Sequence, residues 1–199
     1  MKKLVRTISS LLVLIAVFTA CKKNNATPEN PTANNQQELI TTVLLKGYDI
    51  NDPLNSSKQF TVRWEDLDGD GGSIPHIDTL TLDTGIIYHI DVLLLDRSKS
   101  IADTISNEVK EEANAHQFFY ILSGSVADVL TTRIIDVDTN TPALPLGLIF
   151  TIEPKSGALV TPPLIGALQV KLSHYDGVPK TNTPSTETDL DISFPVKLN

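Results

Sequence analysis

The stretches "ALQVKLSH" (Ala167–His174) and "DLDISFPVKL" (Asp189–Leu198) decide the fold class. In the first, Leu168, Val170 and Leu172 alternate with Gln169, Lys171 and Ser173. In the second, Leu190, Ile192, Phe194, Val196 and Leu198 alternate with Asp189, Asp191, Ser193, Pro195 and Lys197. Successive side chains of a strand point to opposite faces, so this period of two gives each segment one apolar and one wet face. Pro195 has no N–H to give a ladder, which places its strand at an edge or at a bulge.

The same alternation spreads outward. In "ELITTVLLKG", Leu39, Val43 and Leu45 share a face with Thr41. In "KQFTVRWE", Phe60, Val62 and Trp64 share another. "GIIYHIDVLLLD" sets Ile86, Tyr88, Ile90, Val92 and Leu94 against His89 and Asp91. "HQFFYILS" is apolar on both faces and reads as a central strand; "VADVLTTRIIDV" and "LGLIFTIE" read as further strands. The single helix predicted is "DTISNEVKEEANA" (Asp103–Ala115). Ile105, Val109 and Ala113 give it a narrow apolar stripe, Asp103 is placed to cap it, and it needs a sheet to dock on. Roughly eight or nine strands between Gly, Pro, Asn and Asp turns predict an all-β fold, an antiparallel, immunoglobulin-like β-sandwich with one short helix. Trp64 would sit in the core, like the buried Trp of immunoglobulin-like domains, without their paired cysteines.

The N-terminus carries a different signal. Lys2, Lys3 and Arg6 precede the apolar run "LLVLIAVF" (Leu11–Phe18), followed by Thr19, Ala20 and Cys21. This is a secretory signal, and its apolar run falls short of the roughly 20 residues of a spanning helix. An ordinary secreted protein cut near Ala20 is one reading. The position of Cys21, the only cysteine, directly after the small residues favours another. "FTAC" resembles the lipobox of bacterial lipoproteins, with Phe18 where Leu is usual. The resemblance implies cleavage before Cys21, a diacylglycerol on its thiol and an acylated amine, enough lipid for stable anchoring. No cysteine is then left for a disulfide or a nucleophile. The predicted organisation is a lipoprotein signal peptide at 1–20, a flexible tether at 21–37 rich in Asn, Pro, Thr and Gln, and a β-sandwich domain at 38–199. Lys22 stands where many inner-membrane lipoproteins have Asp, and no acidic run follows Cys21. Both features imply an outer-membrane lipoprotein on the periplasmic face.

The chain carries 16 basic and 24 acidic residues, a net charge of −8. Removing residues 1–20 takes away Lys2, Lys3 and Arg6 and no acid, so the remainder is more acidic still. Such a domain repels phosphate backbones and excludes nucleic acid as a partner. It also repels anionic headgroups, leaving the lipid as the membrane contact.

The acid is concentrated in "EDLDGDGGS" (Glu65–Ser73). Asp66, Asp68 and Asp70 alternate ahead of Gly71 and Gly72, the opening spacing of an EF-hand loop. The bidentate Glu expected at position twelve is Ile77 instead. Two carboxylates about 5 Å apart repel by roughly 3 kcal/mol at an effective dielectric of 20 and by under 1 in water. A tight loop therefore favours a structural calcium ion held by Asp66, Asp68, Asp70 and Gly72, with Glu65 or Asp78 as further ligands, while an open loop is a plain β-connection. Asp136, Asp138 and Asn140 repeat the alternation without the glycine, as a weaker metal candidate or a solvated turn. Glu108, Glu112 and His116 are four apart and could share a transition metal if the helix reached His116. "HQFFY" reads as strand and argues against that. His76, His89 and His174 are scattered and read as surface or strand-end residues rather than ligands.

Nucleophile elbows, HExxH, P-loops, GxGxxG and paired cysteines are all missing, so no enzyme class is indicated. "ELITTV", "WEDLDGDGG", "EEANAHQFFY" and "TETDLDISFPV" together resemble a family of small Bacteroidota envelope lipoproteins. The resemblance spans nearly the whole mature domain; it implies localisation and architecture and lends no activity. The expected function is a lipid-anchored envelope binding or assembly module, calcium-stabilised if the acidic loop is tight, acting on an envelope protein or ligand. A purely structural envelope lipoprotein, and a hydrolase using a carboxylate pair, are the alternatives.

Overall fold

Alternation in these segments resolves into two sheets with their apolar faces together. The computed structural model describes residues 38–69, 71–175 and 177–199. The predicted signal peptide, Cys21, the tether and Asp70 lie outside the described residues. Strands β1 (Thr42–Asp49), β2 (Phe60–Glu65), β3 (His76–Ile77), β4 (Leu80–Leu82) and β5 (Tyr88–Leu95) precede helix α1 (Ile105–Glu111). Then come β6 (His116–Gly124), helix α2 (Val126–Val129), β7 (Leu130–Ile134), β8 (Ile149–Pro154), β9 (Leu164–His174) and β10 (Glu187–Leu198). One sheet has the order β3-β2-β1-β5-β8-β7 and the other β4-β10-β9-β6.

The predicted inward faces are the core. Val43, Leu45, Ile90, Leu94, Leu168, Val170, Leu172 and Phe194 are all 0% exposed. Leu190, Ile192, Val196 and Leu198 are buried with them, while the alternate residues of β10 face out. Trp64 is only partly buried, packed against the margin of this cluster, and Leu39 is exposed. Ile105, Val109 and Ala113 dock as the stripe predicted.

Four features differ from expectation, each for a local reason. The "HQFFYILS" strand is an edge strand, β6, and not a central one. Its outward face leaves Ile121 46% exposed, and other segments occupy its free edge. The Phe118 N–H donates to the Leu146 carbonyl at 2.7 Å, and Thr132 Oγ1 donates to the Tyr120 carbonyl at 3.1 Å. The Tyr120 ring stacks on Phe150 with centroids 3.7 Å apart. Covering an edge in this way satisfies the backbone groups that would otherwise template another chain.

The second difference is α2, which replaces the start of a predicted strand, so there are two α-helices among the described residues, besides a 3-10 turn at Ser56–Lys58. Gly124 (φ 69) and Gly166 oppose each other across the β6–β9 ladder, and a Cβ on Gly166 would meet the Ser123 carbonyl at 2.0 Å. The chain turns at this close approach. The Ser125 hydroxyl donates to the Ile165 carbonyl at 2.8 Å and accepts from the Ile165 N–H at 3.0 Å. Val126 and Val129, one helical turn apart, are then both buried. Third, β10 lies inside its sheet, and its pairing with β4 is parallel. Pro195 is tolerated because β4 pairs only with Val196, Lys197 and Leu198. Fourth, Asp103 does not cap α1. Thr104 is the cap residue, without a side-chain bond, and Asp103 pairs its backbone with Asp96.

Phe194 is the largest fully buried side chain of the longest strand. Phe194→Ala should lower the unfolding free energy by about 3–5 kcal/mol, read as an earlier urea midpoint at unchanged slope.

Candidate functional site

The acidic loop joins β2 to β3 and is closed by its own hydrogen bonds. Asp66 Oδ1 accepts from the Gly69 N–H at 2.8 Å and Asp68 Oδ2 from the Ser73 N–H at 2.9 Å. The Gly72 N–H donates to the Gly69 carbonyl at 3.0 Å. Gly72 lies so close over the Asp68 carboxylate that a Cβ there would be 2.5 Å from its carbon. The Ser73 amide holds the Asp68 pKa below its usual value. Asp66 and Asp68 thus sit in a compact loop, as the glycines implied, but each serves a backbone donor. Glu65 is taken up by Thr42, Arg63 and Arg97, and Asp78 by the Arg63 N–H and His76.

Asp136, Asp138 and Asn140 hold the fold together instead of facing solvent. Asp136 accepts from the N–H groups of Gly147, Leu148 and Ile149 at 2.9, 3.0 and 3.2 Å. Asp138 accepts from Asn140 and the Leu144 N–H and pairs with Lys180 at 2.9 Å, both side chains being 0% exposed. The Lys180 ammonium also donates to the Ala113 and Pro145 carbonyls at 2.9 and 2.8 Å, which satisfies a buried cation fully.

A different group converges. Ligand atoms of Glu38, His116, His174 and Asp189 all lie within 4.8 Å of one another. His116 opens β6 and His174 ends β9; they are cross-strand partners with ring centroids 4.4 Å apart. Asp189 reaches them because the β10–β9 register shifts between Thr188 and Leu190. The extra residue turns Asp189 inward while Leu190 and Ile192 keep their faces. Its side chain is 3% exposed, not on the wet face with Asp191. Glu38, just before β1, completes the group.

His116 Nε2 lies 3.6 Å from Glu38 Oε1 and 3.4 Å from Asp189 Oδ2, and His174 Nδ1 lies 3.6 Å from Asp189 Oδ2. Burial of His116 opposes its charge, but the carboxylates of Asp189 and Glu38 prevail and push its pKa up to about 9. Burial likewise opposes the charge of Glu38, yet His116 holds its carboxyl below the usual value. Glu108 and Glu112 contribute no carboxylate here. α1 ends at Glu111, and it is the Glu112 carbonyl that meets His116 Nδ1, at 3.2 Å.

Glu38 and Asp189 also line a cleft of about 700 Å³. Its walls include Trp64, the acidic-loop residues Asp66, Leu67 and Asp68, and Lys171 and Asp191 of the other sheet. Asp191 binds Gln169 at 2.6 Å and Lys171 at 3.3 Å. The sequence singled out the loop but not its neighbours. The signal for the histidine pair lay in the strand pairing, and the signal for Asp189 in the break of phase between "TET" and "LDISF".

No protein-family model matches this chain, and no curated protein or solved structure is similar to it.

The Asp138 pKa is lowered from 3.8 to about 2: burial opposes its charge, and the Leu144 amide and Lys180 outweigh it. Protons therefore bind the unfolded chain first. The contribution of Asp138 is fully present above its ordinary value and is lost as pH falls through about 2. Urea midpoints should fall over that acid range, and the Asp138→Asn/Lys180→Met double variant should show a flatter acid limb.

Proposed function

We propose that this protein is a lipid-anchored cell-envelope binding or assembly module whose ligand seat is the cleft between Trp64, the acidic loop and Lys171. The observation that carries this reading is the cleft itself, about 700 Å³ with mixed polar and apolar walls. A purely structural protein has no use for such a concavity, whereas binding sites are concave, largely apolar and set with a few polar groups. The basic n-region, the apolar run and Cys21 support an outer-membrane, periplasmic-face lipoprotein.

The wall chemistry supports a class of ligand. Acidic groups outnumber Lys171, which is itself bonded to Asp191, and Trp64 and Leu67 add apolar area. That combination suits a ligand with an apolar body and positive charge, such as a basic segment of an envelope protein. Binding is favoured over hydrolysis because Asp66, Asp68 and Asp191 are each committed to a donor, and Glu38 and Asp189, the other acids of the cleft wall, are drawn to His116 and His174. A calcium ion on Asp66, Asp68 and Asp70 would stiffen one wall of this seat.

A photoreactive residue at Leu67, which lines the cleft, should form a discrete adduct in intact cells. The same residue at Leu159, outside it and 94% exposed, should not. Equal labelling, or none at Leu67, rejects the reading. Calcium added to metal-stripped protein should raise the melting temperature, and Asp68→Asn should abolish the rise; an unchanged midpoint removes the ion alone.

A further inference from the structure

We propose that Glu38, His116, His174 and Asp189 form a buried, four-coordinate zinc site that clasps the start of the domain to three strands of the smaller sheet. Glu38 and Asp189 border the cleft, but the inference stands on how their ligand atoms meet the two histidines and holds whatever the cleft's ligand. First, the donor side chains are almost wholly buried: exposure is 9% for Glu38, 0% for His116, 10% for His174 and 3% for Asp189. Second, they are unsatisfied. Glu38 Oε2, His116 Nε2 and Asp189 Oδ2 have no hydrogen-bond partner although all three are buried. Buried polar atoms are nearly always paired, so three orphans at one point are an unmet demand for a cation.

Third, the spacing suits a metal better than hydrogen bonds. The closest approaches are 3.4, 3.6 and 3.6 Å. Ligands about 2.0–2.1 Å from a tetrahedral zinc stand about 3.3 Å apart, close to these three separations, while the remaining pairs, all within 4.8 Å, must close further to complete the shell. Fourth, His116 is already oriented from behind. Its Nδ1 meets the Glu112 carbonyl at 3.2 Å, which makes that nitrogen the donor and turns the Nε2 lone pair on the carboxylates. Metal-bound histidines are held in this manner by carbonyls and carboxylates.

The donor set names the ion class. Two imidazole nitrogens and two carboxylate oxygens are a borderline set, suited to zinc and unlike the six to eight oxygens of calcium. The charges agree. A divalent ion held by two neutral imidazoles balances both buried carboxylates. Four protein ligands leave no open position, so the site is structural. It joins Glu38, ahead of β1 in the larger sheet, to β6, β9 and β10 of the smaller one.

The test uses the untagged full-length chain in detergent, with zinc and cobalt as probes. Wild-type protein dialysed against zinc should retain one ion per chain by elemental analysis. Cobalt(II) should give the intense visible bands of four-coordinate geometry, and zinc should displace it. His116→Gln and His174→Gln should each weaken binding by more than the roughly 10–100-fold typical of losing a supporting hydrogen bond. Asp128→Asn, on α2 and outside both the cleft and the cluster, should bind as wild type. Because the cobalt spectrum is read on the wild type, a variant that fails to fold does not blunt the test. Folded wild type that binds no stoichiometric metal, or only pale six-coordinate cobalt, overturns the site. So does unchanged zinc affinity in a folded His116→Gln/His174→Gln variant. Absence of a Leu67 adduct would bear on the cleft and leave this result untouched.

Discussion

Burial of every second side chain of β9 and β10 against the larger sheet is the constraint on which this molecule depends. Leu168, Val170, Leu172 and Phe194 exclude water completely, and their neighbours on the same strands cannot follow them inward without a change of phase. Apolar contact of this kind is strong but without direction. It brings the sheets together and leaves their ends to be fixed by polar groups.

At one end the fixing is done by buried charge. Lys180 gathers Asp138, Ala113 and Pro145 around one ammonium, linking the α1 turn, the loop before β8 and the segment before β10. Asp136 gathers three successive amides entering β8. Near Glu38 the single slip in the β10 ladder admits Asp189 beside the cross-strand histidines. The slip is local, since Leu190 and Ile192 still face the core. The same strand thus contributes both a hydrophobic face and one inward acid.

The sandwich was legible because period two is a property of adjacent residues. The faces of β1, β5, β9 and β10 could be assigned from the chain alone. What escaped depends on pairing. β6 looks central in sequence, yet it is an edge strand whose free backbone groups are met by Leu146 and Thr132, which are distant in the chain. α2 arises where Gly124 and Gly166 come within touching distance, a contact that the valines cannot announce. The acids drew attention where they were densest, at Asp66 and Asp68, yet dense exposed acids are readily solvated. The unsatisfied ones are sparse in sequence, and their meeting requires the β6–β9 register that sets His116 opposite His174. His174 does end its strand, but sequence alone sets it aside as a ligand, because its depth comes from the partner strand.

Trp64 is the only tryptophan in the chain, and it stands half-sheltered in the cleft wall beside the acidic loop. Its intrinsic emission therefore originates from one place in the molecule. Any change in how wet that wall is will shift a single fluorophore, unblurred by others. The fold thereby carries its own label-free optical probe in the wall of this cleft.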